Sequence, residues 1–190
     1  MLSKYYHTKE SEDSYIKMAE GYNGLAVIED FKKYLKSESS LLELGSGPGN
    51  DIELLSQYYK VTGSDYSELF LNRLNKLHPG TPFINLDAIT LDTHSFFDGI
   101  YTNKVLQHLT DKELKLSLEN QYRILNNNGI VCHSFWNGKG CDTNSGIIHN
   151  YHTSEELIEL FSQKLNILQI TKYAEMGKDD SIFIIAQKSL

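Results

Sequence analysis

Short apolar runs bounded by Gly, Asp or Asn alternate along this chain with stretches whose apolar residues recur every three or four positions. Few folds accept that pattern. The runs SLLELG (40–45), KVTGSD (60–65), PFINLD (82–87), FDGIYTN (97–103) and GIVCHSF (129–135) read as buried strands. Between them, Ile52, Leu55 and Tyr59 share one helical face, as do Leu69, Leu74 and Leu77, and later Leu114, Leu118, Tyr122 and Leu125. Capping boxes at Thr110-x-x-Glu113 and Thr153-x-x-Glu156 predict two helix starts. Gly129, after three asparagines, is placed to stop the first of these helices. Strand–helix repetition with short links predicts an α/β fold: a Rossmann-like, doubly wound, mostly parallel sheet with helices on both faces. The last two runs, NILQITKYA and SIFIIAQK, are separated only by EMGKDD, too short for a crossover helix. They predict a C-terminal hairpin that completes seven strands, with the last one antiparallel. The first 36 residues, including SYIKMAEGYNGLAVIEDFKKYL, predict one or two helices on this core or over its active edge.

The 190 residues suit a single domain, 1–190, with a full core. A net charge of −7 without any Lys/Arg-rich segment argues against a protein that gains affinity by neutralising nucleic-acid phosphates. No apolar run approaches the roughly 20 residues that span a bilayer. The opening MLSKYYHTKESEDS lacks the basic start and apolar centre of a signal peptide, so a cytoplasmic location is expected. Cys132 and Cys141 show no paired metal spacing and are expected as reduced thiols.

The stretch LLELGSGPGN (41–50) ends the first strand on Gly45, Gly47 and Gly49 and leads into a helix. Such a turn lets backbone come close to a ligand. A dinucleotide fingerprint would need its third glycine at position 50, which is Asn50, and Pro48 removes one amide from the loop. Asp65 closes the second strand twenty positions after Gly45, where a carboxylate can accept ribose hydroxyls. Asp87 is read as closing the third strand, and Glu43 lies within the first. Three carboxylates around one crevice would repel a pyrophosphate and suit an adenosine that carries a positive group.

Together, LLELGSGPGN, GSDYS, LDAI and FDGIYTNKVLQHL resemble the class I S-adenosylmethionine-dependent methyltransferases of the small-molecule type. In that family the loop runs E/D-x-G-x-G-x-G, which residues 43–49 match in full. The resemblance extends from Ser40 to the C-terminus and is best between 41 and 110. It implies S-adenosylmethionine as cofactor, S-adenosylhomocysteine as product, and methyl transfer to an oxygen or nitrogen of a small-molecule acceptor. Glu43, Gly45, Gly47 and Gly49 would hold the methionine end, and Asp65 the ribose hydroxyls, with Tyr66 against the adenine. Asp87 and the Ala88 amide would read the adenine edge. Asn103 and Lys104 would make backbone contacts to the methionyl part, and His108 would sit at the mouth of the site. Lys104 departs from the acidic or serine-type residue frequent there. No DPPY or NPPY signature follows the fourth strand, and no PC nucleophile is present, so nucleic-acid methylation is not expected.

Methyl transfer from a sulfonium needs alignment and dehydration more than a dyad. His108 is the candidate base, with a structural helix-start histidine as the other reading. The glycine-rich stretch 134–152 is a loop of the size used for lids, and Trp136, His149, Tyr151 and His152 are candidates to line the acceptor pocket. His149 and His152, near Asp142, have only a loose metal spacing, and no metal is expected. His133 alternates with apolar neighbours, which leaves open whether it faces the site or the helices. Tyr5, Tyr6, Tyr15 and Tyr22 can either close over a sulfonium or pack the first helix. Two alternatives stand beside the transferase: a non-catalytic binder of the same cofactor, and a nicotinamide dehydrogenase. The chain is expected as a monomer or homodimer.

Overall fold

The computed structural model describes residues 8–144 and 147–189. Its strands are β1 (Ser40–Leu44), β2 (Lys60–Asp65), β3 (Phe83–Asn85), β4 (Phe97–Asn103), β5 (Leu125–Trp136), β6 (Cys141–Asn144), β7 (Ile147–Asn150), β8 (Leu165–Tyr173) and β9 (Ser181–Lys188). Its helices are α1 (Lys9–Met18), α2 (Leu25–Phe31), α3 (Ile52–Ser56), α4 (Glu68–Leu77), α5 (Asp111–Ile124) and α6 (Ser154–Phe161). Seven strands form one sheet in the order β3-β2-β1-β4-β5-β9-β8. Strands β1 to β5 pair in parallel, and β9 runs antiparallel between β5 and β8, as the short EMGKDD connection requires.

Adjacent residues of each central strand face opposite layers, so both faces are apolar. Leu42, Leu44, Ile100, Val131 and Ile184 pack under Leu114 and Leu118 of α5 and Leu157 and Phe161 of α6. Their neighbours Leu41, Tyr101, Ile130, Cys132 and Ile185 pack under Ile28 and Phe31 of α2 and Ile52 and Leu55 of α3. His133 belongs to the first layer: it is fully buried, its ring lies 5.7 Å from that of Phe161, and its Nδ1 is 3.0 Å from Thr102 Oγ1. It faces the helices. Both capping boxes form, Thr110 with Glu113 and Thr153 with Glu156.

Four local readings change. The buried face of α4 is Phe70, Leu71 and Leu74, with Leu77 exposed, because the helix is turned toward β2 and β3. Strand β3 ends at Asn85, so Asp87 lies two residues beyond it, in a turn. Helix α5 stops at Ile124 instead of at Gly129: Leu125 is already extended and pairs with Phe97. The left-handed residue there is Asn128, at φ 62°, and Gly129 is needed because a side chain would meet Leu125 at 2.7 Å. The stretch after β5 is no open loop. It holds the β6–β7 hairpin, in which Asp142 pairs with His149 and Thr143 with Ile148.

Candidate active site at the ends of β1 and β4

Strand order reverses between β1 and β4, and their carboxyl ends open a crevice where ligands of doubly wound sheets sit. The glycine loop lies there, with Gly45, Gly47 and Gly49 at φ 78°, 49° and 91°, a region closed to most side chains. The Gly47 amide donates to Asp65 Oδ2 at 2.9 Å, which ties the loop to the end of β2. Gly49 turns away from the crevice, and a side chain there would strike Leu74 of α4.

Under the loop lies a cavity of about 110 Å³, lined among others by Glu43, Gly45, Gly47, Asp51, Asn103 and Lys104. Glu43 is 4% exposed and its Oε2 has no hydrogen-bond partner. Burial, followed by the charge of Asp51, pushes its carboxyl up to about 8. Asp51 accepts from the Gly24 amide (2.6 Å), the Tyr101 hydroxyl (2.9 Å) and Asn103 Nδ2 (3.0 Å). Asn50 Nδ2 donates to the carbonyls of Ala19 and Tyr22, both at 2.8 Å. Asn50 and Asp51 therefore clasp the connector between α1 and α2 onto the glycine loop. Tyr15 of α1 packs over Gly47, beside Asp65, with its ring edge-on to Phe70.

A second cavity of about 270 Å³ adjoins the first and shares Tyr15, Tyr22, Lys104 and Glu175 with it. Lys104 sits at φ 57°, its amide donating to Ser134 Oγ. Its ammonium contacts Ser181 Oγ (2.6 Å), Glu175 Oε2 (2.9 Å) and the Phe135 carbonyl (3.3 Å), and lies 3.4 Å from the centre of the Trp136 ring. Burial pulls it down to about 8 despite the favourable charge of Glu175. The Asp180 carboxylate accepts the amides of Glu175, Met176 and Gly177, which shapes the β8–β9 turn and places Glu175.

His108 lines the second cavity from a short 3-10 turn, Leu106–His108. Its Nδ1–H donates to the Ile148 carbonyl of the hairpin at 2.8 Å, and burial pulls it down to about 4. Trp136 and His149 also line this cavity, whereas Tyr151 and His152 turn to another depression beside Asp111. Tyr5 and Tyr6 lie outside the described residues. No group of three His, Cys, Asp or Glu side chains among the described residues is placed to hold a metal. Both cysteines are free thiols.

The crevice thus brings Glu43, Gly45, Gly47, Asn103 and Lys104 onto one cavity. Asp65 and Tyr66 lie at and just after the end of β2, and Asp87 and Ala88 in the turn that follows β3. Asp87 Oδ1 accepts the Ile89 and Thr90 amides of its own turn at 2.6 and 3.3 Å, and Tyr66 is exposed. Sequence reasoning missed Asp51 and Glu175. Asp51 stands beside the loop motif, but its partners come from positions 24, 101 and 103. Glu175 is signalled only by the turn that carries it.

A family model described as a methyltransferase domain matches residues 41–129. No curated protein sequence matches the chain. Among solved structures, it is similar to the 1,6-didemethyltoxoflavin-N1-methyltransferase of Burkholderia thailandensis, with S-adenosylhomocysteine and 1,6-didemethyltoxoflavin bound. That likeness has a TM-score of 0.80 and 17% identity, and covers 98% of this chain and 84% of the other. The N-methyltransferase NodS of Bradyrhizobium japonicum, in complex with S-adenosylhomocysteine, gives a TM-score of 0.74 at 16% identity, over 94% and 97% of the two chains. An amino pentose methyltransferase of Micromonospora echinaspora, bound to S-adenosylmethionine, gives 0.74 at 15%, over 96% and 98%. At these identities the likeness is one of fold, and the sheet order, the glycine loop and the family match agree with it. The chain thus has the fold of S-adenosylmethionine-dependent methyltransferases, and its residues 41–129 match the methyltransferase-domain model.

Proposed function

We propose that the protein transfers the methyl group of S-adenosylmethionine to an oxygen or nitrogen of a small-molecule acceptor. The observation that carries the reading is Glu43: a buried carboxyl oxygen without a partner, facing a cavity whose other charged groups are mostly acidic. A cationic hydrogen-bond donor fits that vacancy, and the methionyl ammonium and sulfonium are such groups. When bound, the cofactor supplies an activated methyl group on positive sulfur.

The chain's own part is to bind, orient and exclude water. Glu43 and the glycine loop, with the backbone of Asn103 and Lys104, take the methionine end. Asp65 takes the ribose hydroxyls, and Tyr15, which packs beside it, has to yield to them. Tyr66, Asp87 and the Ala88 amide take the adenine. Tyr15 and Tyr22 border both cavities, so closure of the α1–α2 segment excludes water from both at once. A general base works best with a pKa near the operating pH, and His108 is held near 4. We infer that His108 is a neutral wall of the acceptor cavity that anchors the hairpin, which favours the structural of its two sequence readings over the candidate base.

The test is incubation with S-adenosylmethionine and a pool of small-molecule acceptors, following S-adenosylhomocysteine by mass spectrometry. Release above the acceptor-free rate, lost in Asp65→Ala, supports the reading. Binding of cofactor without turnover on any pool would overturn it.

A further inference from the structure

The site leaves one hydrogen-bonding position open where the two cavities meet. Glu175 lines both cavities. Its Oε2 receives the Lys104 ammonium at 2.9 Å and the Tyr173 hydroxyl at 3.2 Å, with Ser181 Oγ at 3.3 Å. Among the described residues, Oε1 has no partner. The Lys104 ammonium, by contrast, is surrounded by Glu175, Ser181 and the Phe135 carbonyl. A ligand at this junction therefore meets a carboxylate oxygen with spare lone pairs, backed by a cation that is already engaged.

The walls agree in sign. Tyr15 and Tyr22 supply aromatic rings and Met18 and Met176 thioethers, both polarisable surfaces that favour a cation, while the Trp136 ring already carries the Lys104 ammonium. His108 is held neutral by burial and adds no positive charge. Lys104, which lines the same cavity, is already held by Glu175, Ser181 and the Phe135 carbonyl. A hydroxyl acceptor would also need a base that works near neutral pH, and His108 is too acidic to serve.

We propose that the acceptor is an amine, and that Glu175 Oε1 accepts the hydrogen bond of its reacting N–H, with Lys104 as the positioning residue behind it. This rests on the methyl-transfer reading. The amine docks as the ammonium ion that this cavity favours and gives its extra proton to bulk water before reaction, which frees the lone pair. Its lone pair forms the new N–C bond as the methyl–sulfur bond breaks, and that electron pair stays on sulfur. The positive charge thus passes from sulfur to nitrogen. Glu175 sits where charge develops, so its hydrogen bond strengthens toward the transition state. The N–H proton is released to water with the product.

The test uses three probes of one shape, benzylamine, benzyl alcohol and benzoate, titrated calorimetrically into the full chain saturated with S-adenosylhomocysteine. Benzylamine is expected to bind at least about 10-fold more tightly than the other two, the scale of one hydrogen bond to a charged group. Glu175→Gln is expected to weaken benzylamine by about 10-fold while the protein still binds S-adenosylhomocysteine. Because that variant leaves Lys104 without its counter-charge, the neutral double variant Lys104→Met/Glu175→Gln is measured beside it and is expected to show the same loss. Benzoate binding in preference to benzylamine, no benzylamine binding, or full benzylamine affinity in the double variant overturns the proposal. Failure of the wild-type chain to bind S-adenosylhomocysteine instead removes the methyl-transfer reading and this inference with it.

Discussion

Glu43 offers a quantitative prediction because its burial fixes the sign of a proton transfer. Its carboxyl is raised from 4.5 to about 8, first by desolvation and then by the charges of Asp51 and Asp65. At pH 7 the one-unit gap leaves about nine-tenths of the molecules protonated at this position. A methionyl ammonium beside the unpartnered Oε2 favours the charged form and returns the pKa below neutrality. Binding at pH 7 should therefore release up to about 0.9 proton, and affinity should rise by as much as about 10-fold per pH unit until it levels off near pH 8. Because the folded pKa is raised, the stability of the free protein runs the other way. The contribution is full below about 4.5 and is lost as pH rises through about 8. Titration with S-adenosylhomocysteine in phosphate and in Tris, whose ionisation heats differ, gives the proton count directly. Glu43→Gln should lose the release, while any contribution from the ligand's own amine is common to both proteins and cancels. Equal release from both, or proton uptake by the wild type, refutes this reading of Glu43.

The other predictions concern the scaffold. Asp51→Ala removes the acceptor of three hydrogen bonds from Gly24, Tyr101 and Asn103, and should cost about 3 kcal/mol in urea unfolding. It should also speed proteolysis within residues 19–24, and unchanged nicking there would contradict the clasp. Gly49→Val forces a branched side chain into φ 91° and against Leu74, and should lower stability by roughly 2–4 kcal/mol in a thermal melt. A melt within error of wild type would show that the loop relaxes freely. His133 is held neutral down to about 3 by burial. Its depressed pKa means stability is present above about 6.5 and falls as pH drops, by up to about 1.4 kcal/mol per pH unit. His133→Leu should remove up to about 1.4 kcal/mol per pH unit from the slope in urea unfolding between about pH 6.5 and about pH 4.5, read as a difference from wild type in which the shares of His108, His152 and Glu43 cancel.

The sheet and its order were legible because strands buried on both faces read as continuous apolar runs, and because EMGKDD is too short for a helix. The phase of α4 was not. Leu69, Leu74 and Leu77 make an acceptable stripe by spacing, yet docking on β2 and β3 selects Phe70, Leu71 and Leu74. Glu43 and the glycines were legible as a motif, since their geometry is local to one loop. Asp87 was misplaced by two residues, because a three-residue strand carries too little pattern to show its end. Asp51 and Glu175 were invisible for a different reason. What they do depends on groups about 27 to 71 positions away, and only the folded sheet brings those groups within hydrogen-bonding distance.

The central claim is that the crevice between β1 and β4 holds the cofactor's methionyl end next to a separate acceptor cavity. A crystal structure of the chain with S-adenosylhomocysteine measures this directly. It should place the amino-acid end at Glu43 and the glycine loop, with the sulfur turned toward the cavity bordered by Lys104, His108 and Glu175. Ligand density elsewhere on the surface, or a sulfur facing away from that cavity, would contradict it.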